Sequence, residues 1–200
     1  MKSLIDTLRA TLASILCLSP LAATAQQALV IKPLAERKVA QLPSGPLFWY
    51  IANFPTLAQA QAAAGPTGLA VESSGKVCLF RLGPAGTGAS SGGKKVAEVG
   101  PLAELTAPEY LLRINEASGP SGSTTPVHTH PGSEAFYVVA GEQSIRTPHG
   151  VLRVTVGQAE TGHGADVPMQ VSSSGATDLH ALVMFVVDAT RPFSSAAKLP

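Results

Sequence analysis

The stretch that decides the fold spans residues 122–141 and reads GSTTPVHTHPGSEAFYVVAG. His128 and His130 are separated by one residue, and Glu134 follows them after the turn-forming sequence PGS. On a β-strand, residues i and i+2 point to the same face roughly 6–7 Å apart, so the two imidazoles can converge on one ion. The turn can bring Glu134 in from the start of the next strand. Two neutral imidazoles and one carboxylate suit a divalent first-row metal and leave coordination positions open.

The same stretch resembles the first signature motif of the cupins, G-x5-H-x-H-x3-E-x6-G. Gly122, His128, His130, Glu134 and Gly141 fill all of its fixed positions at the right spacing. The resemblance implies an all-β fold, namely a cupin-type double-stranded β-helix (a jelly-roll barrel) that holds a metal inside its mouth. The implied ligands are His128, His130 and Glu134, and the implied cofactor is a divalent ion such as Fe, Mn, Zn, Ni or Cu.

The second cupin motif, whose histidine usually completes the metal shell, is altered in residues 157–174. Aligned on the hairpin-like sequence GADVPM, Met169 occupies the histidine position, and the spacing after Gly157 is one residue longer than the pattern. Three outcomes remain open. Water or substrate fills the vacant position, Met169 coordinates weakly through its thioether and favours a soft ion such as Cu(I), or the site has lost its metal and become a polar pocket.

Four further residues are candidates for the surroundings of the site. Glu134, Phe136 and Val138 share one face of a strand, so we expect Phe136 and Val138 to line the pocket. His163 and His180 are candidates for supporting the ligands without being ligands themselves. The alternatives are a histidine at the barrel rim for His163 and a hydrogen-bonded core imidazole for His180. No catalytic side chain is assigned.

Composition favours one β-rich domain. The 200 residues are 45% apolar and 14% charged with a formal charge of +1, which suits a single core and gives no sign of nucleic-acid or membrane-surface binding. The 19 glycines and 16 prolines favour a turn-rich β protein.

Residues 1–25 have the pattern of a Sec-type signal peptide, with a buried N-terminal helix as the alternative. Lys2 and Arg9 provide the positive start, an apolar run too short to span a bilayer follows, and ATA is a cleavage site ending at Ala25. We therefore expect a periplasmic or secreted mature protein that is free of the membrane after cleavage. Cys78 is then its one cysteine, and the strand-like sequence around it predicts a small buried residue.

The remainder divides into an N-terminal extension at 26–105, a barrel at 106–190 and a tail at 191–200. The extension is expected to contain strands and one short helix, because residues 55–64 combine helix formers with an initial proline and a glycine stop. Short apolar segments separated by turns are typical of a barrel or sandwich. The predicted strands are 48–51, 76–82, 95–99, 110–116, 134–140, 143–147, 151–156 and 179–187.

Two functions are consistent with these features. The first is an exported metal-dependent oxidoreductase, dioxygenase-like, that acts on a small organic molecule at an open metal position; an isomerase-like reaction is the other enzymatic option. The second is a non-catalytic cupin that binds or senses a small ligand. A homodimer formed through sheet edges is a further expectation, unless the N-terminal segment covers the edge.

Overall fold

The computed structural model describes residues 27–88 and 92–200, and it is almost entirely β. The predicted signal peptide at 1–25, including Cys17, lies outside the described residues. The elements are β1 Val30–Val39, β2 Phe48–Phe54, α1 Leu57–Ala63, β3 Gly68–Ser73, β4 Lys76–Gly83, β5 Lys94–Val99, β6 Tyr110–Gly119, β7 His128–Thr129, β8 Gly132–Ala140, β9 Glu142–Thr147, β10 Gly150–Thr155, β11 Ala159–Thr161, β12 Gln170–Ser173, β13 Leu179–Asp188 and β14 Ser195–Ala196.

Two antiparallel sheets form a jelly-roll barrel. The first has the order β1-β6-β13-β8-β11, and the second has the order β10-β9-β12. Bridges from Thr124 to Ser172 and from His128 to Met169 place the segment around β7 beside β12. Most neighbouring strands are therefore distant in sequence, as Greek-key crossovers between two sheets require. The prediction of an all-β double-stranded β-helix is confirmed by this strand order.

A third layer covers the outside of the first barrel sheet. The N-terminal residues form a sheet of order β3-β4-β2-β5, whose Trp49 and Phe80 share a core cluster with Leu182 and Met184 of β13. The alternate residues of β13, including Val183 and Phe185, pack in a second cluster inside the barrel. Because successive side chains of a strand point to opposite faces, β13 is buried on both sides. The N-terminal extension therefore packs on the barrel through a continuous apolar layer.

The first strand of the extension belongs to the barrel itself. β1 pairs with β6 along its whole length, from Val30 opposite Ser118 to Val39 opposite Tyr110. The pairing shifts between Pro33 and Ala35, because proline cannot donate a ladder hydrogen bond. β1 is thus the edge strand of the first barrel sheet.

The helix α1 forms where the sequence predicts it. Thr56 caps its start, with Oγ1 accepting a hydrogen bond from the backbone N–H of Gln59 at 3.3 Å. Ala60 is the buried contact of the helix with the extension sheet, and Gly65 follows the last turn at a φ of 64°. Among the described residues, no helix is long and apolar enough to cross a membrane.

Cys78 is buried, as its strand context predicts. The side chain is 5% exposed, and its Sγ donates a hydrogen bond to Oδ1 of Asn53 at 3.3 Å. Burial raises the pKa of the Cys78 thiol, so the thiolate is disfavoured. Cys78 therefore acts as a small packing residue of the extension sheet.

Candidate functional site

A cavity of about 370 Å³ opens inside the barrel, and the three predicted ligands all line it. His128 lies on β7, His130 follows it after one residue, and Glu134 lies near the start of β8. Most of the remaining wall is apolar and includes Phe136, as predicted, and Phe185 of β13. The cupin-like motif therefore contributes to a single cavity.

Both imidazoles are held by backbone carbonyl groups. Nδ1 of His128 lies 2.8 Å from the carbonyl oxygen of Pro126, and Nδ1 of His130 lies 2.6 Å from that of Phe193. A carbonyl oxygen only accepts hydrogen bonds, so each neutral ring carries its proton on Nδ1 and has a free lone pair on Nε2. Metal-binding histidines are typically oriented in this way.

The two rings differ in burial. They contact each other edge to face with centroids 4.9 Å apart, but His130 is 5% exposed and also packs on the rings of Phe185 and Phe193. Burial lowers the pKa of His130 to about 4, an effect that the neighbouring His128 and Arg113 reinforce against the hydrogen bond to Phe193. His130 is therefore neutral at physiological pH, as a ligand must be.

Glu134 is a buried carboxyl group that has no charged partner in the described part of the chain. It is 2% exposed, and its Oε1 has no hydrogen-bond partner among the described residues. Burial raises the pKa of Glu134 to about 8, because the anion is poorly solvated inside the barrel. A buried carboxylate is costly unless a cation or a proton compensates it. The Glu134 carboxyl group is therefore suited to bind a cation that enters the cavity.

A glycine makes room for this carboxyl group. Gly162 donates its backbone N–H to the carbonyl oxygen of Glu134 at 2.9 Å. A Cβ at position 162 would lie 2.6 Å from Cγ of Glu134 and 3.0 Å from Cε2 of Phe136. Only a residue without a side chain therefore lets the strand β11 and the loop after it pass so close to Glu134.

The donor types fit a divalent ion, but their arrangement is not that of an assembled site. Within residues 27–88 and 92–200, no group of three or more His, Cys, Asp or Glu side chains is gathered so that it could hold a metal ion. His128, His130 and Glu134 share the cavity without converging on one point. The predicted metal site therefore stays a prediction.

Met169 and Val138 lie behind the cavity wall. Both are buried in the inner core cluster, and neither is among the residues that line the cavity. The backbone of Met169 exchanges hydrogen bonds of 2.9 and 2.8 Å with that of His128. Met169 therefore positions the strand that carries His128, while its thioether packs in the core.

The two histidines that were candidates for supporting the ligands, His163 and His180, both lie outside the cavity lining. Nε2 of His163 is 3.3 Å from Oγ1 of Thr147, in a loop that does not line the cavity. His180 lies on the outer face of β13, where its Nε2 is 3.0 Å from Oε2 of Glu116 and 3.2 Å from Oγ of Ser73. His180 thus joins the barrel to the N-terminal sheet as a hydrogen-bonded imidazole, which is the alternative to a role in supporting the ligands.

The site also contains a segment that the sequence did not indicate. Phe193 and Ala196 of the C-terminal tail line the cavity, and β14 pairs with β7 so that Ala196 lies opposite His128. The guanidinium of Arg113 stacks on the ring of Phe193 at 4.3 Å. Arg191 forms a two-pronged ion pair with Asp166, at 3.0 and 2.7 Å. We call residues 191–200 the C-terminal strap.

The chain matches no protein-family model, and no curated protein is similar to it in sequence. Similar solved structures include a cupin-like protein from Thermotoga maritima, at 12% identity over 44% of this chain and 65% of that chain, with a TM-score of 0.39. A protein with a double-stranded β-helix domain from Klebsiella pneumoniae shares 17% identity over 44% of this chain and 75% of that chain, with a TM-score of 0.38. A DMSP lyase from Ruegeria pomeroyi shares 21% identity over 43% of each chain, with a TM-score of 0.37.

The match therefore spans less than two thirds of the first of these structures. At such low identities and TM-scores, these likenesses carry no argument about the activity of this chain. The jelly-roll fold rests on the strand order of the barrel itself.

Proposed function

We propose that this chain is a cupin-type protein that binds one divalent metal ion in its barrel cavity through His128, His130 and Glu134. The observation that supports the proposal is the pairing of two imidazoles, each anchored at Nδ1 by a backbone carbonyl, with a buried carboxyl group whose Oε1 lacks a partner among the residues that the structure describes. A cation would compensate the carboxylate and use the two free Nε2 lone pairs.

The proposed activity is that of a metal-dependent oxidoreductase, dioxygenase-like, on a small organic molecule. An ion held by three protein ligands would supply open positions at which dioxygen or a substrate oxygen can be activated. The chain's own contributions are orientation and exclusion of water. The carbonyl groups of Pro126 and Phe193 keep the Nδ1 protons in place, and the rings of Phe185 and Phe193 shield His130 from solvent.

A second candidate function is non-catalytic binding of a small ligand by the same cavity. It is favoured by the apolar wall and by the lack of a gathered metal-ligand group within the described residues. Metal-dependent dioxygen consumption with small organic substrates separates the two functions. Turnover supports the enzyme, whereas ligand binding without turnover in metal-loaded protein supports the binder.

Metal titration tests the shared premise of a metal site. Equilibrium dialysis with Mn²⁺, Zn²⁺ and Co²⁺ should give one ion per chain. The variants His128→Ala, His130→Ala and Glu134→Gln should each bind at least about 10-fold more weakly. His149→Ala is the matched control, because His149 follows β9 and does not line the cavity. Equal affinity in all five proteins would contradict the proposal.

We propose that the protein is exported and performs this function in the periplasm or outside the cell. Residues 1–25 carry the signal pattern, and a mature N-terminus at Gln26 is the expected product. The mass of the protein recovered from the periplasm or medium tests this directly. Retention of the full-length chain in the cytoplasm would contradict it.

We also propose a homodimer through the exposed edge of the barrel sheet. The edge strand β1 leaves Val30 and Ile31 exposed at 62% and 45%. An uncovered edge with apolar residues favours pairing, although the charged residues of β1 oppose it. Light scattering coupled to size-exclusion chromatography measures the mass, and a strictly monomeric protein would remove the proposal.

A further inference from the structure

The floor of the cavity carries an amide whose oxygen has no hydrogen-bond partner within residues 27–88 and 92–200. Asn115 of β6 lies opposite Val183 of β13, which in turn lies opposite Phe136 of β8. Asn115 lines the cavity and is 3% exposed. Its Oδ1 is buried without a hydrogen-bond partner among the described residues. Buried amides are normally satisfied, so this group calls for a partner that enters the cavity.

The size and wall of the cavity suit a single ring. About 370 Å³ falls within the range of small-molecule pockets. It exceeds the roughly 150 Å³ that hold benzene in an engineered apolar cavity, which leaves room for a ring with a few substituents. Phe136, Phe185 and Phe193 present their rings to this space, and aromatic walls favour edge-to-face or offset contacts with a ring.

The charges around the cavity favour a neutral ligand. No Lys or Arg is among the described residues that line it, so in the metal-free protein a carboxylate or phosphate would enter without a cationic partner. Arg113 lies nearby, but its guanidinium is engaged by Oε2 of Glu36 at 3.0 and 2.6 Å and by the ring of Phe193. Glu134 is assigned to the metal in the proposed function.

We propose that the cavity binds a neutral, ring-sized organic molecule with one hydroxyl group, and that Asn115 recognises this hydroxyl. A hydroxyl both donates and accepts, so it matches an amide that presents either its oxygen or its nitrogen. The inference rests on the proposed function in that it names the ligand class of the same cavity. Asn115 is then a residue that determines specificity and binds no metal.

A pair of isosteric probes tests this inference. The probes are 4-ethylphenol and 4-ethyltoluene, which differ by a hydroxyl in place of a methyl group, and binding is measured by NMR titration of chelator-treated protein. Replacing Asn115 by leucine should shift the ratio of the two dissociation constants by about 5- to 10-fold against the phenol. Asn115→Ala repeats the test with less bulk, in case leucine disturbs the packing.

Val171→Ala is the matched control, because it enlarges the same cavity from the other barrel sheet and leaves the amide of Asn115 unchanged. It should change the two affinities alike and leave their ratio within about 2-fold of the unmodified protein. An unchanged ratio in both Asn115 variants would overturn the role of Asn115. Failure of both probes to bind the unmodified protein would overturn the ligand class.

Titrations in the presence of a metal ion separate this inference from the proposed function. The same titrations are repeated with Zn²⁺ present, and zinc affinity is measured independently for Asn115→Leu. If the protein binds no metal but retains the phenol selectivity, the proposed function fails and the inference stands. If zinc binds normally while the selectivity is absent, the inference alone fails.

Discussion

Nδ1 of His130 lies 2.6 Å from the carbonyl oxygen of Phe193, although the two residues are 63 positions apart in the chain. The ring of Phe193 also packs on the His130 ring, with centroids 4.7 Å apart. The C-terminal strap therefore both orients and shields a proposed metal ligand. Groups that orient ligands in this way typically contribute a factor of roughly 10 to 100 to metal affinity.

Removing the strap should weaken metal binding. A chain that ends at Thr190 loses the carbonyl of Phe193 and the pairing of β14 with β7, so we expect an affinity for Zn²⁺ lower by about 10-fold or more. A chain that ends at Ala197 keeps both features and is the control. Equilibrium dialysis and circular dichroism together check affinity and fold. Equal zinc affinity in the two truncated chains would show that the strap does not orient His130.

The buried carboxyl group predicts an unusual pH dependence of the metal-free protein. The pKa of Glu134 is raised from 4.5 to about 8, so between these values the folded state holds a proton that the unfolded state has lost. The free energy of unfolding therefore falls as pH rises through this window. The lowered pKa of His130 acts in the opposite direction, but only between about 4 and 6.5.

The window between pH 6.5 and 8 accordingly isolates Glu134 from His130. Thermal unfolding should show the unmodified protein losing stability relative to Glu134→Gln as pH rises through it. The glutamine is neutral at every pH and removes this contribution. Saturating Zn²⁺ should reverse the trend, because the ion favours the deprotonated carboxylate. Parallel pH profiles for the two metal-free proteins would contradict the burial of an uncompensated carboxyl group.

Gly162 offers a way to displace Glu134 without altering it. In Gly162→Ala the new Cβ meets Cγ of Glu134 at 2.6 Å, so the carboxyl group must move. We expect zinc affinity to fall by about 10-fold or more, since ligand placement is disturbed. Gly164→Ala is the control, because its Cβ would meet only Cβ of Ala103, at 3.1 Å. Titrations in which the two alanine variants bind zinc equally well would argue against a role for Glu134.

The apolar cluster between the barrel and the N-terminal sheet should be essential for stability. Leu182 is 1% exposed and packs between the barrel and the N-terminal sheet, so Leu182→Ala should cost about 2–5 kcal/mol in the free energy of unfolding. Val151 is 56% exposed on β10, and Val151→Ala should change the free energy of unfolding by less than about 0.5 kcal/mol. Urea denaturation checks both. Similar midpoints for the two variants would mean that the N-terminal sheet contributes little to the core.

The sequence predicts the barrel well because its strands alternate with turns. The short helix, the predicted strand around Cys78 and the long strand β13 all occur, and the motif of residues 122–141 does bring His128, His130 and Glu134 to one cavity. These features depend on local periodicity and turn chemistry, which a single sequence carries.

The face of β13 that reaches the cavity could not be read from its sequence. Both faces are apolar, because one packs inside the barrel and the other packs under the N-terminal sheet. Without a polar face there is no alternation to show that His180 and Met184 point outward, away from the cavity. The sequence of β13 alone therefore does not show whether His180 faces the ligands or the N-terminal sheet.

One part of the site and one strand of the barrel leave little trace in the sequence. The hydrogen bond to His130 comes from the backbone of Phe193, and a carbonyl oxygen is present at every residue. β1 contains a proline and several charged residues, since one side of this edge strand faces solvent. Neither segment has a periodic pattern that would predict its place beside the barrel.

The most direct test of the central claim is the metal content of the mature protein purified from the cells that export it. Elemental mass spectrometry should find close to one divalent ion per chain. A His128→Ala, His130→Ala double variant, purified in parallel, should retain almost none. No metal in either protein after reconstitution with Fe²⁺, Mn²⁺, Zn²⁺ and Cu²⁺, or equal metal in both, would contradict the account.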